Sequence, residues 1–217
     1  MKLTTQLTAL ALALTGAIGG AHASVLLVNA PTASVDYSGT FFGGSLVASA
    51  TTNISNLSYQ GIARTAVYDT GTGLDFYYQF SNFSSSKNGV ERFSAWDFSA
   101  LGTSVVNVFQ TNAANGFFTV GTEPSDYADR TTFGVIGFNF VANAQSKINP
   151  GTTSFVQVIR TNARTFEAGN FGLLNGIGDN ATGFGVSAVP EPESYAMMLA
   201  GLCLMGTIAR RRKSKQA

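Results

Sequence analysis

The chain of 217 residues holds one cysteine and one histidine, and both lie towards its ends, at Cys203 and His22. The long stretch between them therefore offers no disulfide framework, no thiolate or imidazole set for zinc, and no Cys–His or Ser–His pair for nucleophilic catalysis. Charge is also scarce, with Asp, Glu, Lys and Arg making up only 12% of the residues. Nucleic-acid binding draws most of its affinity from clustered Lys and Arg against phosphate, and no such cluster occurs between His22 and Cys203. No cofactor motif is present in that stretch either.

What is present begins with a three-part pattern. Lys2 gives a positive start, Leu7 to Ile18 form an apolar stretch, and Ala21-His22-Ala23 precede Ser24. This order predicts a secretory signal helix over residues 1–23, passed to the secretion machinery and cut by signal peptidase between Ala23 and Ser24. Small side chains at Ala21 and Ala23 suit the shallow pockets of such a peptidase. The apolar stretch is about a dozen residues, short of the roughly 20 that a membrane span takes.

The other end reads Val189-Pro190-Glu191-Pro192-Glu193-Ser194, an uncharged apolar run from Tyr195 to Ala209, and then Arg210-Arg211-Arg212-Lys213 with Lys215 beyond. Proline has no N–H to donate and disfavours helix in the residue before it, so Pro190 and Pro192 hold the segment extended and open to a protease. The apolar run predicts a short transmembrane helix over 195–209, long enough where the basic side chains snorkel and the bilayer thins. The cationic residues fix its orientation, with the basic tail 210–217 cytoplasmic and the proline segment on the export side.

These residues resemble the PEP-CTERM sorting tag recognised by exosortases. The resemblance covers about 28 residues, 189–217, and carries no information about the rest of the chain. It implies transient anchoring in the inner membrane of a Gram-negative bacterium, removal of the tail by an exosortase-type transpeptidase or protease, and delivery to the cell surface or extracellular matrix. It also implies an association with exopolysaccharide.

Removing both ends leaves roughly 165 residues, the size of one domain. Six of the 13 basic and two of the 12 acidic residues lie in the ends, so the remainder keeps seven basic and ten acidic groups. All 17 Phe, Trp96 and six of the seven Tyr fall inside it, enough to build a core without disulfides.

The apolar residues recur with period two, as in Leu74, Phe76, Tyr78 and Phe80, which marks half-buried strands. Comparable segments are Ser24–Asn29, Gly61–Tyr68, Val90–Phe98, Ser104–Phe109, Gly116–Val120, Thr132–Val141 and Ser154–Arg160, with fainter ones at Thr40–Val47 and Gly183–Ala188. Turn signals separate them at Asp69-Thr70-Gly71-Thr72-Gly73, Asn88-Gly89, Asn115-Gly116, Asn149-Pro150-Gly151 and Asn175-Gly176. The expected fold over residues 24–188 is all-β, a single antiparallel β-sandwich or jelly-roll-like domain.

Four groups of residues invite a chemical reading. Asp69-Thr70-Gly71 resembles half of an aspartic-protease centre, but no second copy exists and a glycine-rich hairpin explains it. Glu91 and Asp97 on one regular strand would lie about 20 Å apart, too far for a glycosidase pair. Glu123, Asp126 and Asp129 gather hard oxygen ligands suited to calcium in a turn-rich loop, or else cap and pair locally. Tyr77, Trp96 and Tyr127 are candidate platforms for sugar rings. The expected function is a non-enzymatic surface or matrix protein. The alternatives are a carbohydrate-binding module and a secreted hydrolase.

Overall fold

The computed structural model describes residues 24–29, 32–40, 43–104, 106–141, 147–187 and 197–205. The strands are β1 (Ser24–Leu26), β2 (Ala33–Ser34), β3 (Asp36–Ser38), β4 (Ser45–Ser55), β5 (Gln60–Asp69), β6 (Leu74–Asn82), β7 (Arg92–Ala95), β8 (Val106–Thr111), β9 (Tyr127–Arg130), β10 (Ile136–Asn139), β11 (Val156–Arg160), β12 (Phe166–Asn175) and β13 (Ile177–Val186). A 3-10 turn covers Ser99–Leu101, and a helix covers residues 197–205.

The strands form two sheets. The first runs β1-β8-β11-β6-β5-β4, and the second runs β13-β12-β7-β10-β9-β2. All ladders are antiparallel except one. On the outer edge of β8, β1 lies antiparallel beside Val106–Val108 and β3 parallel beside Phe109–Thr111.

Alternation along each strand sends one set of apolar side chains between the sheets. Phe76, Tyr78 and Phe80 of β6 meet Phe93 of β7 and Phe171 of β12 in one buried cluster. Tyr78 lies 5.1 Å from Phe171, and Phe93 lies 4.9 Å from Phe171 at 82°, edge to face. Each such pair adds about 0.5–1.5 kcal/mol beyond simple burial. This is the sandwich-like layering that the alternation predicts, with the sheets facing each other across an aromatic core.

Hydroxyl groups fasten the β12–β13 hairpin to the opposite layer. Tyr59 donates to the Leu173 carbonyl at 2.8 Å, Thr65 to the Thr182 carbonyl at 2.9 Å and Tyr78 to the Phe184 carbonyl at 2.8 Å. Burial pushes the Tyr59 phenol up to about 12, so it remains a donor at any physiological pH.

Several boundaries differ from the periodicity. Gly116–Val120 forms no strand, because the Asn115 side-chain oxygen accepts the N–H groups of Phe117 and Phe118 and turns the chain locally. The acidic segment 123–130, expected to be a loop, ends in β9. Thr40–Val47 and Gly183–Ala188 understate β4 and the long β12–β13 hairpin, whose inward positions include Ala48, Ala50 and Gly183 rather than large apolar residues. Val90–Phe98 shortens to β7, because Asp97 takes φ 70 and bends the chain away. The expected signal helix 1–23 lies outside the described residues, whereas the expected 195–209 helix is described, as helix, over residues 197–205. Among the described residues no helix is long and apolar enough to cross a membrane.

Candidate functional site

The outward-facing residues of the second sheet line up in rows because the ladders are in register. Asp129, Gly137, Ser94, Gly172 and Asn180 form one row across β9, β10, β7, β12 and β13. Tyr127, Asn139, Arg92, Leu174 and Gly178 form the next. Beyond β7 the ladder continues for one bond, from the Trp96 N–H to the Asn170 carbonyl at 3.1 Å.

Arg92, Asp129 and Asn139 lock together on this face. Arg92 donates to both carboxylate oxygens of Asp129 and, at 2.7 Å, to the Asn139 amide oxygen, while the Asn139 amide donates to Asp129 at 2.7 Å. The Arg92 hydrogen bonds, followed by that of Asn139, hold the Asp129 carboxyl below its ordinary range against the opposing effect of burial. Gly137 makes room for this arrangement, since a Cβ there would stand 2.0 Å from an Arg92 terminal nitrogen.

Next to the triad, Trp96 is 45% exposed. Its indole reaches back over Gly172, where a Cβ would stand 3.2 Å from Nε1, 3.4 Å from the Ser94 Cβ and 3.5 Å from the Asn180 Oδ1. Ser94, Trp96, Gly172, Leu174, Gly178 and Asn180, with Leu173 and Asp179, line a groove of about 320 Å³. That volume sits at the small end of ligand sites, which span about 300–1,000 Å³.

The first sheet has the opposite outer face. Residues 112–123 cross it as a strap, with Phe118 packed 6.0 Å from the Tyr77 ring and the Gln79 amide donating to the Thr119 carbonyl at 2.7 Å. On the same face Asp75 is fully buried and receives Arg160 on both oxygens, Oδ1 at 3.0 Å and Oδ2 at 2.7 Å. Burial is the largest influence on the Asp75 carboxyl and lifts it above its usual range, with Arg160 pulling it back.

The sequence candidates divide accordingly. Tyr77 is not a sugar platform: it is fully buried beneath the strap, and burial pushes its phenol up. Tyr127 is half-buried on β9, about 13 Å along the strand direction and about 10 Å across it from Trp96, so the two do not share a site. Trp96 alone is presented at a groove.

The acidic trio is also separated. Asp129 is committed to Arg92, and Glu123 lies in a bridge beside Ser154. The Asp126 N–H donates to the Asn139 carbonyl at 2.8 Å. Among the described residues no three or more His, Cys, Asp or Glu side chains gather around a common ion position.

Glu91 is paired with Lys147. Asp69-Thr70-Gly71 is the β5–β6 hairpin, with the Gly71 N–H donating to the Asp69 carboxylate at 2.7 Å. Ser24, expected to follow the signal cut, opens β1 opposite Val108. Ala21, Ala23, Val189, Pro190, Glu191, Pro192, Arg210, Arg211, Arg212 and Lys213 lie outside the described residues. Sequence reading missed Gly172 and Asn180, whose only signal was that Gly and Asn recur through residues 169–183 without apolar alternation.

Comparison with known families finds one match. Residues 188–213 fit the PEP-CTERM protein-sorting motif. No curated protein and no solved structure matches the chain. Within the matched span the described helix 197–205 exposes every residue, including Met197 at 75% and Met205 at 68%.

Proposed function

We propose that this exported protein, carrying the sorting motif at residues 188–213, has a non-enzymatic structural or interaction role at the cell surface or in the extracellular matrix, associated with exopolysaccharide. The motif itself marks export and exosortase-dependent sorting. The finer reading adds the route. The signal segment 1–23 engages the secretion machinery and is cut before Ser24. The apolar helix then holds the chain in the inner membrane of a Gram-negative cell, Arg210–Lys213 stay cytoplasmic, and the extended Pro190-Glu191-Pro192 segment is presented for cleavage.

The matched motif carries this reading, and the described helix supports it. A helix that is apolar on all sides with every residue exposed suits a bilayer. The non-enzymatic part is supported by the local ties already held by the acidic side chains: Asp75 to Arg160, Glu91 to Lys147 and Asp129 to Arg92.

The test is the size and membrane association of the product in a host with and without its exosortase. Pro190→Ala with Pro192→Ala should leave insertion intact and stop processing, because the apolar run is unchanged while the recognition segment is lost. Arg210, Arg211 and Arg212 changed to Glu should reduce correct insertion instead. Equal processing of wild type and the proline variant, or processing without the exosortase, would overturn the reading.

A further inference from the structure

We propose that the Trp96 groove on the outer face of the second sheet binds a neutral pyranose unit of a polysaccharide. A pyranose ring has an apolar C–H face and a rim of hydroxyls, so it needs an apolar aromatic surface beside a few placed hydrogen-bonding groups. The groove supplies both. Trp96 and Leu174, the latter 43% exposed, border it at two levels along the strands, and Gly172 leaves its floor without a side chain.

Three polar groups converge on that floor. The Trp96 Nε1 and the Asn180 Oδ1 stand 3.2 and 3.5 Å from where a Gly172 Cβ would be, and Ser94 flanks the same point. Among the described residues none of these side chains has a protein hydrogen-bond partner. An indole N–H, a hydroxyl and an amide together offer donors and acceptors in the mixture that sugar hydroxyls require.

Charge selects the sugar class. Ser94, Trp96, Gly172, Leu174, Gly178 and Asn180 are neutral, and the one charged residue of the lining, Asp179, is an acid that accepts from the Asn56 amide and would repel a second carboxylate. The nearest cation in the adjoining row, Arg92, is already held by Asp129 on both oxygens. A uronic acid would find no available cation, whereas a neutral hexose or pentose loses nothing by entering.

The surface reading matters to this proposal only for where the polysaccharide comes from. The chain contains one tryptophan, so its fluorescence reports Trp96 alone. The purified full chain is titrated with cello-, laminari-, manno- and xylo-hexaose and, separately, with polygalacturonate. The expected result is a blue shift and protection from acrylamide quenching with at least one neutral hexaose, and no change with polygalacturonate. Gly172→Val should weaken that binding at least tenfold by filling the floor. Asn180→Ala, at an exposed position, should weaken it several-fold without altering the melting temperature. A titration in which no neutral hexaose perturbs Trp96, equal binding of polygalacturonate, or wild-type affinity in both variants would overturn the proposal. The titration needs no exosortase, so its failure and a failure of tail processing are separate results.

Discussion

The outer faces of the two sheets start from similar strands and end in opposite conditions. In β6 the residues pointing away from the core are Asp75, Tyr77 and Gln79, and all three are fully buried. In β7 and just beyond its end the outward residues are Arg92, Ser94 and Trp96, and all three remain at least partly exposed. The difference is made elsewhere, by the strap of residues 112–123 that covers the first sheet and, among the described residues, has no counterpart over β7. Alternation along a strand therefore tells which residues share a face, while whether that face is wet depends on a segment distant in sequence.

The hardest blow to this comparison falls on the covered face. Arg160→Ala would leave the Asp75 carboxylate fully buried without its partner, and should lower unfolding stability by about 3–5 kcal/mol in denaturant melts. Pairing it with Asp75→Asn should restore much of that loss. A single variant costing no more than a surface ion pair would mean that the strap does not exclude water.

A smaller effect is expected on the open face, where pH separates the two conditions. The Asp129 carboxyl is held below its ordinary value by Arg92. Its contribution is thus fully present above the unfolded value of about 3.9 and is lost as pH falls from there through the lower folded value. Asp129→Asn should remove that part of the acid dependence and cost about 1 kcal/mol at neutral pH. Melting curves from pH 7 down to pH 2 would show it. Asp75 works in the other sense, its raised carboxyl easing burial as it protonates, so the same titration of Asp75→Asn should slope the opposite way. The smallest effect belongs to Trp96→Ala, which should shift stability by less than about 1 kcal/mol because the indole is half-open.

Much of the fold was legible because large apolar residues alternate where both layers meet. Leu74, Phe76, Tyr78 and Phe80 showed β6, and Asn175-Gly176 marked the turn of the β12–β13 hairpin, where Gly176 takes φ 63. The hairpin's strands were mostly hidden, since Gly169, Gly172, Gly178 and Gly183 carry no hydropathy signal and their order comes from the ladder and from the hydroxyls of Tyr59, Thr65 and Tyr78. The groove was half legible. Trp96 stood out as a lone aromatic, but Ser94 and Asn180 meet it only through a register spanning more than 80 residues of sequence. Tyr77 misled for the reason given by β6: it alternates as an exposed residue should, and the strap lies forty positions away.

The pairing of β13 also sets how the domain bears force. Residue 187 follows directly on Val186, which pairs with Phe166 at the open end of the hairpin, and the sorting motif begins at residue 188. Tension applied there along the strand axis loads all ten β12–β13 pairs in shear together. Tension applied across the strand peels them one at a time, starting at Phe166 and Val186, where the Val186 N–H is also held by the Asp97 carbonyl at 2.8 Å. A surface protein hung from this end would resist drag along β13 far better than a sideways pull.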